Sequence, residues 1–433
     1  MPGSAKPRPA LPGGPYAVLG LARSGVSVAL ALRARGEEVI GCDAGASTDP
    51  RLAESARRLL DAGVEVRLDA SGVALAARAR TLIKSPGVPQ SAPLVAAARS
   101  RGIPVLGELE IAWRLLSSEF VAVTGTNGKT TTTEWIGHIH RAAGLPVAVA
   151  GNVGTAVSSL IDEIDSDTTV ICEASSFQLE DTEAFAPEAA LLLNLEPDHL
   201  DRHASMEAYT AAKLRIFANQ GPTDIAVIPP RGIDVTTRAS VIHYGDGLER
   251  ELADEIALPG EHNRENGMAA AATCLARGID RDAVAEGLRT FQGVMHRLER
   301  IGEVGGVAWV NDSKATNVAS TIVALQAFAG GVHLIAGGRG KGQDFSPLVP
   351  LVRDRCRAVY LVGEATPELA AALEPAGVEL IDAGDLPGAV ADARQRAWIG
   401  ETVLLSPACA SYDQYRDFEA RGEAFRALVE GLE

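Results

Sequence analysis

The stretch FVAVTGTNGKTT (Phe120–Thr131) decides the fold. The predicted strand Glu119–Thr124, which covers its apolar start, is typical of a strand buried in a parallel sheet, and we expect a helix to begin near Thr131. The glycines between them let backbone N–H groups turn toward a phosphate, and the helix N-terminus adds the positive end of a dipole. The stretch therefore predicts a strand, a phosphate-binding loop and a helix in an α/β fold.

The loop also carries the side chains that ATP chemistry needs. Lys129 would reach the β- and γ-phosphates, and the Thr130 hydroxyl would bind Mg²⁺. Val123 stands where the usual phosphate loop has a glycine, so the loop is a variant, and an ordinary strand–helix turn with a surface lysine is the alternative. The predicted ATP-binding residues of the loop are Gly125, Thr126, Asn127, Gly128, Lys129, Thr130 and Thr131.

The rest of the chain repeats the same strand–helix alternation, which indicates α/β layers. Most predicted strands run into a polar or glycine-rich cluster, and ligands of open α/β sheets bind at the carboxyl ends of strands. We expect three domains, a Rossmann-like one over residues 1–107, a central P-loop-type ATPase domain over 108–300 and a Rossmann-like C-terminal domain over 301–433.

The composition limits the functions that are open to the chain. It has 433 residues with a formal net charge of -16, which argues against non-specific nucleic-acid binding. No apolar run approaches a membrane span, and the N-terminus lacks the apolar region of a signal peptide. The five cysteines are scattered without CxxC spacing, which favours buried, reduced thiols. We therefore expect a cytoplasmic protein that binds neither nucleic acid nor membrane.

Three further residues are candidates for metal chemistry. Glu173 ends the predicted strand Thr169–Glu173, and a carboxylate at a strand end beside a phosphate loop can hold Mg²⁺. His199 follows another strand end in NLEPDHLDRH, where it strengthens the metal interpretation. Lys213 lies in a helical stretch, and its local sequence alone indicates a solvated lysine.

The first domain contains GLARSG (Gly20–Gly25) after a strand, and Asp43 ends the next strand. That is the layout of a Rossmann nucleotide site, but Ala22 replaces the second glycine of GxGxxG. Because a side chain there hinders the approach of a pyrophosphate, a dinucleotide redox cofactor is disfavoured. A nucleotide diphosphate held differently and a simple packing turn both stay open.

The last third of the sequence carries NDSKATN, GGRGKG and SPACAS, each after a predicted strand. Two lysines and several hydroxyls at strand ends suit a small substrate with several negative charges. Cys409 has no histidine near it in sequence, so a structural role is favoured over a nucleophile.

Taken together, these motifs resemble the Mur ligases of peptidoglycan synthesis, and the pairing of NDSKATN with SPACAS favours the members that add D-glutamate. The resemblance spans nearly the whole chain in the family's order. It rests on SPGVP (Ser85–Pro89), GELE (Gly107–Glu110), GTNGKTT, GNVG (Gly151–Gly154), EASSFQLE, PDHLDRH, HNRENGMAA, HRLE (His296–Glu299), NDSKATN, GGRGKGQDF and SPACASYDQYRDFEARG.

The resemblance implies a monomeric, cytoplasmic enzyme of cell-wall biogenesis, and so of cell shape and division. Its substrates would be UDP-MurNAc-L-Ala, D-glutamate and ATP. ATP would phosphorylate the L-alanine carboxylate, the amine of D-glutamate would attack the acyl phosphate, and phosphate would leave. Two Mg²⁺ ions would offset the charge between ATP and the carboxylate.

The resemblance also assigns roles to residues. Lys213 would carry a carbamate and bind metal together with Thr130, Glu173 and His199, while Asn152 would face the substrate between the two metal sites. The catalytic residues would be Lys129, Lys213, His199 and Asn152. Asn263, Asn266, Arg297 and Asp312 would surround the nucleotide of ATP. Lys314, Thr316, Lys341, Ser411 and Phe418 would line the D-glutamate site, and Ser24 and Asp43 would contact uridine diphosphate.

Two departures and two alternatives accompany this assignment. Ala22 and the bulky Arg23 alter the first loop, and Arg339 stands where an acidic residue can occur, either near D-glutamate or facing solvent. A folylpolyglutamate synthase is the alternative within the ligase class, and it would need a pterin-binding region. A nucleotide-gated switch is the alternative outside that class, and it would have no acyl-acceptor site.

Overall fold

The computed structural model describes residues 6–152, 154–198, 202–258, 260–340 and 342–432. The chain divides between Phe291 and Gln292 into two compact units, here called the N-terminal and C-terminal units. The N-terminal unit contains two sheets and the C-terminal unit contains one. All three are α/β layers, as the sequence predicts.

The first sheet of the N-terminal unit is a parallel Rossmann-type sheet. Its elements are β1 (Tyr16–Leu19), α1 (Arg23–Ala34), β2 (Val39–Cys42), α2 (Pro50–Asp61), β3 (Glu65–Arg67), β4 (Thr81–Lys84), α3 (Pro93–Ser100) and β5 (Val105–Gly107). The strands lie in the order β3-β2-β1-β4-β5, with β1 paired to β2 and β4 on either side. The order therefore reverses at β1, beside the GLARSG turn, which is where such sheets bind ligands.

The second sheet surrounds the phosphate-loop strand. Its elements are α4 (Glu108–Leu115), β6 (Phe120–Thr124), α5 (Lys129–Ala142), β7 (Val147–Gly151), β8 (Thr169–Glu173), α6 (Ser176–Glu180), β9 (Ala189–Leu192), α7 (Met206–Leu214), β10 (Ile225–Ile228), β11 (Ser240–His243), α8 (Glu261–Ala276) and α9 (Arg281–Thr290). The order is β11-β10-β9-β6-β8-β7, so β6 lies between β8 and β9. The carboxyl ends of these three strands therefore meet, because all of them are parallel.

The C-terminal unit has one mixed sheet. Its elements are β12 (Glu299–Val304), β13 (Val307–Asn311), α10 (Val318–Gln326), β14 (Val332–Gly337), α11 (Val349–Arg355), β15 (Cys356–Val362), α12 (Thr366–Leu373), β16 (Glu379–Gly384), α13 (Leu386–Arg396), β17 (Thr402–Ala408) and α14 (Phe418–Glu430). The order is β12-β13-β17-β14-β15-β16, and only the β12–β13 hairpin is antiparallel among the pairs described.

The central strands are buried on both faces, which explains their unbroken apolar sequences. Every residue of β6, β8 and β9 is buried, and such strands pack between helical layers. One local prediction is wrong: α5 begins at Lys129 rather than near Thr131, because Gly128 in the left-handed region ends the loop just before it. The predicted domain boundaries near Gly107 and Arg300 stay predictions.

Candidate active site

The phosphate loop is shaped by its two glycines and by one asparagine from a neighbouring strand end. Gly125 has a φ of 152° and Gly128 a φ of 81°, which side chains rarely allow. Asn194 follows β9, and its Oδ1 accepts the N–H groups of Thr126 at 3.1 Å and Asn127 at 2.8 Å. Two of the loop amides therefore hold the loop to the sheet in this structure.

Two lysine amines converge on the same loop carbonyl. Lys129 Nζ donates to the carbonyls of Gly125 at 2.9 Å and Thr126 at 2.7 Å. Lys213 on α7 is only 2% exposed, and its Nζ donates to the Gly125 carbonyl at 2.7 Å. Burial, and then the positive charge of Lys129, lowers the pKa of Lys213 to about 7. The local sequence interpretation of Lys213 as a solvated lysine is therefore wrong.

Glu173 and Asn152, both predicted site residues, are in direct contact. Glu173 is buried at the end of β8, and Asn152 Nδ2 donates to its Oε1 at 2.9 Å. The Asn152 backbone N–H also donates to the Glu173 carbonyl at 2.9 Å. Gly151 permits this approach, since a Cβ there would lie 2.1 Å from that carbonyl oxygen.

The residues near the loop fit a Mg²⁺ ion by their donor chemistry. Mg²⁺ prefers oxygen ligands, which Glu173 and the half-buried Thr130 provide. The negative charges of Asp198 and Glu173 both act on Lys213 and raise its pKa against the effect of burial. His199 lies outside the described residues, and within them no three His, Cys, Asp or Glu side chains group as a metal site. Lys213 would add an oxygen ligand only as a carbamate.

Two asparagines of α8 were also predicted to bind the nucleotide of ATP. Asn266 is buried, and its Oδ1 lies 2.2 Å from where a Cβ on Gly128 would be. Its amide therefore packs against the phosphate loop. Asn263 is half-buried one turn earlier on the same helix. The structure places Asn266 at the loop, and the binding roles of both asparagines stay predictions.

The GLARSG turn is tightly packed at its two glycines and exposed at Ala22. A Cβ on Gly25 would lie 1.9 Å from the Gly20 carbonyl oxygen, which also accepts the Ser85 hydroxyl at 2.7 Å. Ala22 is exposed just before α1 with an ordinary φ of -78°. Ala22 therefore occupies an exposed position of the turn, and its backbone is unstrained.

Asp43 shapes this turn through both of its oxygens. Oδ2 accepts the N–H of Leu21 at 2.7 Å, and Oδ1 accepts the N–H of Gly45 at 2.8 Å. Ser24 is half-buried in the first turn of α1, and the Arg23 guanidinium donates to the carbonyl of Gly154. Contacts of Ser24 and Asp43 with uridine diphosphate stay predictions.

In the C-terminal unit, Asp312 follows β13 and is buried. Its Oδ2 accepts the Ser406 hydroxyl at 2.8 Å, and its Oδ1 accepts the Leu298 N–H at 3.2 Å. Burial raises the pKa of Asp312 to about 7, although the charges of Arg297 and Lys314 act in the opposite direction. The predicted residues Arg297, Asp312 and Lys314 are therefore close enough to interact.

Arg421 joins the NDSKATN and SPACAS segments, and sequence reasoning missed it. It is 3% exposed, and its Nη2 donates to the Ser313 carbonyl at 2.8 Å and the Cys409 carbonyl at 3.2 Å. Burial lowers the pKa of Arg421 to about 10. Phe418, at the start of α14, accepts the Ser313 hydroxyl through its carbonyl at 2.8 Å.

The other C-terminal predictions have mixed outcomes. Ser411 is buried just after the SPACA segment, and the Thr316 N–H donates to the Lys314 carbonyl at 2.8 Å. Lys341 lies outside the described residues. Arg339 forms an exposed, two-bonded ion pair with Glu364, at 2.9 Å for each bond, so its charge is neutralised at the surface.

The structure brings the predicted residues together in two groups, one in each unit. The first comprises Lys129, Thr130, Asn152, Glu173, Lys213 and Asn266, and the second comprises Arg297, Asp312, Lys314, Thr316, Ser411 and Phe418. Asn194 was missed because an asparagine after a strand has no distinctive pattern. Arg421 was missed because nothing in the sequence of its helix shows that it bonds to Ser313, 108 positions away. All five cysteines are buried thiols outside any disulfide, as predicted.

Within the described residues, no helix is long and apolar enough to cross a membrane.

Comparison with known proteins identifies the family. Residues 123–245 match the Mur ligase middle domain, and residues 296–409 match the Mur ligase glutamate ligase domain. UDP-N-acetylmuramoylalanine–D-glutamate ligases from Acidobacterium capsulatum and Pelotomaculum thermopropionicum are each 40% identical, covering 95% and 96% of this chain and 95% and 97% of their own lengths. The UDP-N-acetylmuramate–alanine ligase structure from Thermotoga maritima shares the fold, with a TM-score of 0.56 at 18% identity over 96% of this chain and 99% of its own. The chain therefore belongs to the Mur ligase family, among its UDP-N-acetylmuramoylalanine–D-glutamate ligases.

Proposed function

We propose that the chain joins D-glutamate to UDP-MurNAc-L-Ala at the expense of ATP, in the cytoplasm and as a monomer, through an acyl-phosphate intermediate. Residues 1–107 would hold the sugar nucleotide, 108–300 ATP and 301–433 D-glutamate. The names of the relatives support the substrates. The proposed order of bond changes is transfer of the γ-phosphoryl group to the L-alanine carboxylate, attack by the amine, and departure of phosphate.

The single observation that carries this proposal is the buried Lys213 amine beside the phosphate loop. A protonated lysine is costly to bury, and no carboxylate forms an ion pair with Lys213 in the described parts of the chain. With its pKa lowered to about 7, much of the amine is neutral near neutral pH and can react with carbon dioxide. The nitrogen–carbon bond forms as one π bond of carbon dioxide opens, one proton leaves to solvent, and the neutral amine becomes an anionic carbamate that can bind a metal ion.

The other residues of the N-terminal unit would position the reactants. Lys129 would leave the loop carbonyls for the β- and γ-phosphates, and Asn152 would orient the acceptor while bonded to Glu173. Thr130, Glu173, His199 and carbamylated Lys213 would hold Mg²⁺, with two ions expected. When bound, Mg²⁺ would offset the negative charge that accumulates between ATP and the carboxylate.

The C-terminal unit would supply the amine. Lys314, Thr316, Lys341, Ser411 and Phe418 are proposed to hold D-glutamate, whose two carboxylates need cationic and hydroxyl partners. Arg297 and Asp312 are proposed to contact the nucleotide of ATP. Arg421 would keep the two D-glutamate segments at a fixed spacing, since it bonds to both.

Phosphate release from the purified protein tests this proposal. Release should require ATP, Mg²⁺, UDP-MurNAc-L-Ala and D-glutamate together, and it should be far slower with L-glutamate. Release that is independent of D-glutamate would favour the nucleotide-gated switch, and equal turnover of L-glutamate would contradict the proposed substrate.

A further inference from the structure

The two glutamates of the GELE motif are both buried in α4, but they differ in how many partners their carboxyl groups have. Glu108 is 1% exposed and Glu110 is 0% exposed. Glu110 pairs with Arg114 at 2.7 Å and accepts the N–H groups of the segment Glu183–Phe185. The ion pair and the hydrogen bonds compensate the charge of Glu110. A structural role is therefore enough to explain why Glu110 is buried.

Glu108 has no such compensation. Its Oε1 accepts the backbone N–H of Ser158 at 2.5 Å, and its Oε2 has no hydrogen-bond partner among the described residues. Within those residues Glu108 also forms no ion pair. Burial raises the pKa of Glu108, against the lowering effect of its hydrogen bond to Ser158. Burying a carboxyl group with only one hydrogen bond costs free energy. We therefore ask what the hydrogen bond from Ser158 to Glu108 does for the protein.

That bond fixes the end of a loop whose start lies in the proposed active site. Ser158 belongs to a 3₁₀ turn, Val157–Leu160, which follows the segment that we call the Asn152 loop (the described residues 151, 152 and 154–156). At the start of this loop, Asn152 is bonded to Glu173 through its amide and its backbone. The Gly151 N–H also closes the loop on the Thr155 carbonyl at 2.8 Å.

We propose that Glu108 is a positioning residue that holds the Asn152 loop against the metal-binding carboxylate. It acts through Ser158 and does not touch the substrate. Glu173 fixes one end of the loop and Glu108 fixes the other. The Asn152 amide therefore stays bonded to Glu173. This inference rests on the proposed function, since it assigns Asn152 and Glu173 their roles.

Replacing Glu108 tests the link. Glu108→Ala leaves the Ser158 N–H unpaired and frees the end of the loop. We expect the KM for UDP-MurNAc-L-Ala and the Mg²⁺ concentration for half-activation each to rise about tenfold, because a lost buried bond costs that order. The KM for ATP should change by less than about twofold, since Lys129 and Asn194 do not contact Glu108.

Two matched variants separate positioning from general stability. Glu108→Gln keeps an uncharged acceptor for the Ser158 N–H, so all its kinetic constants should stay near those of the wild type. Glu110→Gln weakens a compensated bond network on the same helix. It should lower the unfolding temperature while leaving the KM for the sugar nucleotide and the Mg²⁺ requirement unchanged.

The inference is overturned if Glu108→Ala raises neither the KM for UDP-MurNAc-L-Ala nor the Mg²⁺ concentration for half-activation. It is also overturned if Glu108→Gln is as defective as Glu108→Ala. If Glu108→Ala does not fold, Glu108→Asp decides in its place, since its shorter carboxyl group falls short of the Ser158 N–H and should shift the same two values. Wild-type protein without D-glutamate-dependent phosphate release would refute the proposed function instead, so the two failures are distinguishable.

Discussion

The two glycine-rich turns of the N-terminal unit follow similar strands, yet they are held in different ways. The central turn after β6 is closed by side-chain amines and an amide, from Lys129, Lys213 and Asn194. The GLARSG turn after β1 is closed by Ser85 and Asp43, and no lysine amine contacts it in the described residues. The central turn therefore concentrates two lysine amines, whereas the first turn offers a helix N-terminus and the guanidinium of Arg23, which is bonded to the Gly154 carbonyl.

This difference indicates different chemical tasks. A turn that delivers a phosphoryl group needs cations that can move onto the transferring group. A turn that only holds a diphosphate needs shape and backbone N–H groups. Substitutions should therefore affect the rate at the central turn and the binding of the sugar nucleotide at the first turn.

The largest effect is expected at Lys129. Lys129→Ala removes the cation nearest the proposed phosphoryl path, and kcat should fall about 10³-fold, as when a transition-state donor is lost. Steady-state phosphate release measures this. Arg23→Ala removes a cation from the first turn together with its hydrogen bond to the Gly154 carbonyl, and it should lower kcat far less than Lys129→Ala does. Comparable losses of kcat in both variants would break the comparison.

Lys213→Ala should lower kcat about 100-fold, since it removes a proposed metal ligand. Acetate at high concentration should restore part of the activity by supplying the missing carboxylate, and it should restore none to Lys129→Ala. Rates measured with and without acetate check this. Full activity in Lys213→Ala would mean that the buried amine has no part in the reaction.

Gly128→Ala places a Cβ 2.2 Å from the Asn266 oxygen at a φ of 81°. The strain should cost on the order of 2 kcal/mol, seen as about a 30-fold loss in kcat/KM for ATP. Gly144→Ala, at a φ of 68° with open space around it, controls for backbone strain alone. Equal effects of the two on kcat/KM would show that packing against Asn266 is unimportant.

The smallest effect is expected from Ala22→Gly, which restores the missing glycine of the first turn. Removing the exposed methyl should lower the KM for UDP-MurNAc-L-Ala about threefold, on the order of one buried methyl contact, with kcat unchanged. Ala22→Val should raise the same KM. If neither substitution changes it, the diphosphate does not approach this turn.

The sequence predicted the interior of the sheets better than their edges. The strand Thr169–Glu173 has the predicted bounds, because residues buried on both faces leave an unbroken apolar run. Edge strands β3 and β16 were not predicted, since Glu65, Arg67 and Glu379 are exposed and interrupt the pattern.

The site was predictable only where residues follow strands. Glu173 and Asp312 lie at strand ends, as their positions indicated. Lys213 could be assigned only by resemblance, because its burial arises from the packing of α7 beside the loop and leaves no local signal. The hydrogen bond of Glu108 joins residues 50 positions apart, which periodicity does not reveal.

An oxygen-18 label tests the central claim, that the phosphate loop delivers phosphate to a carboxylate rather than to water. UDP-MurNAc-L-Ala labelled in both oxygens of the alanine carboxylate would be turned over with ATP, Mg²⁺ and D-glutamate, and the released phosphate would be analysed by mass spectrometry. Through an acyl phosphate, each phosphate carries one labelled oxygen from the carboxylate. Unlabelled phosphate released together with the amide product would contradict the proposed intermediate.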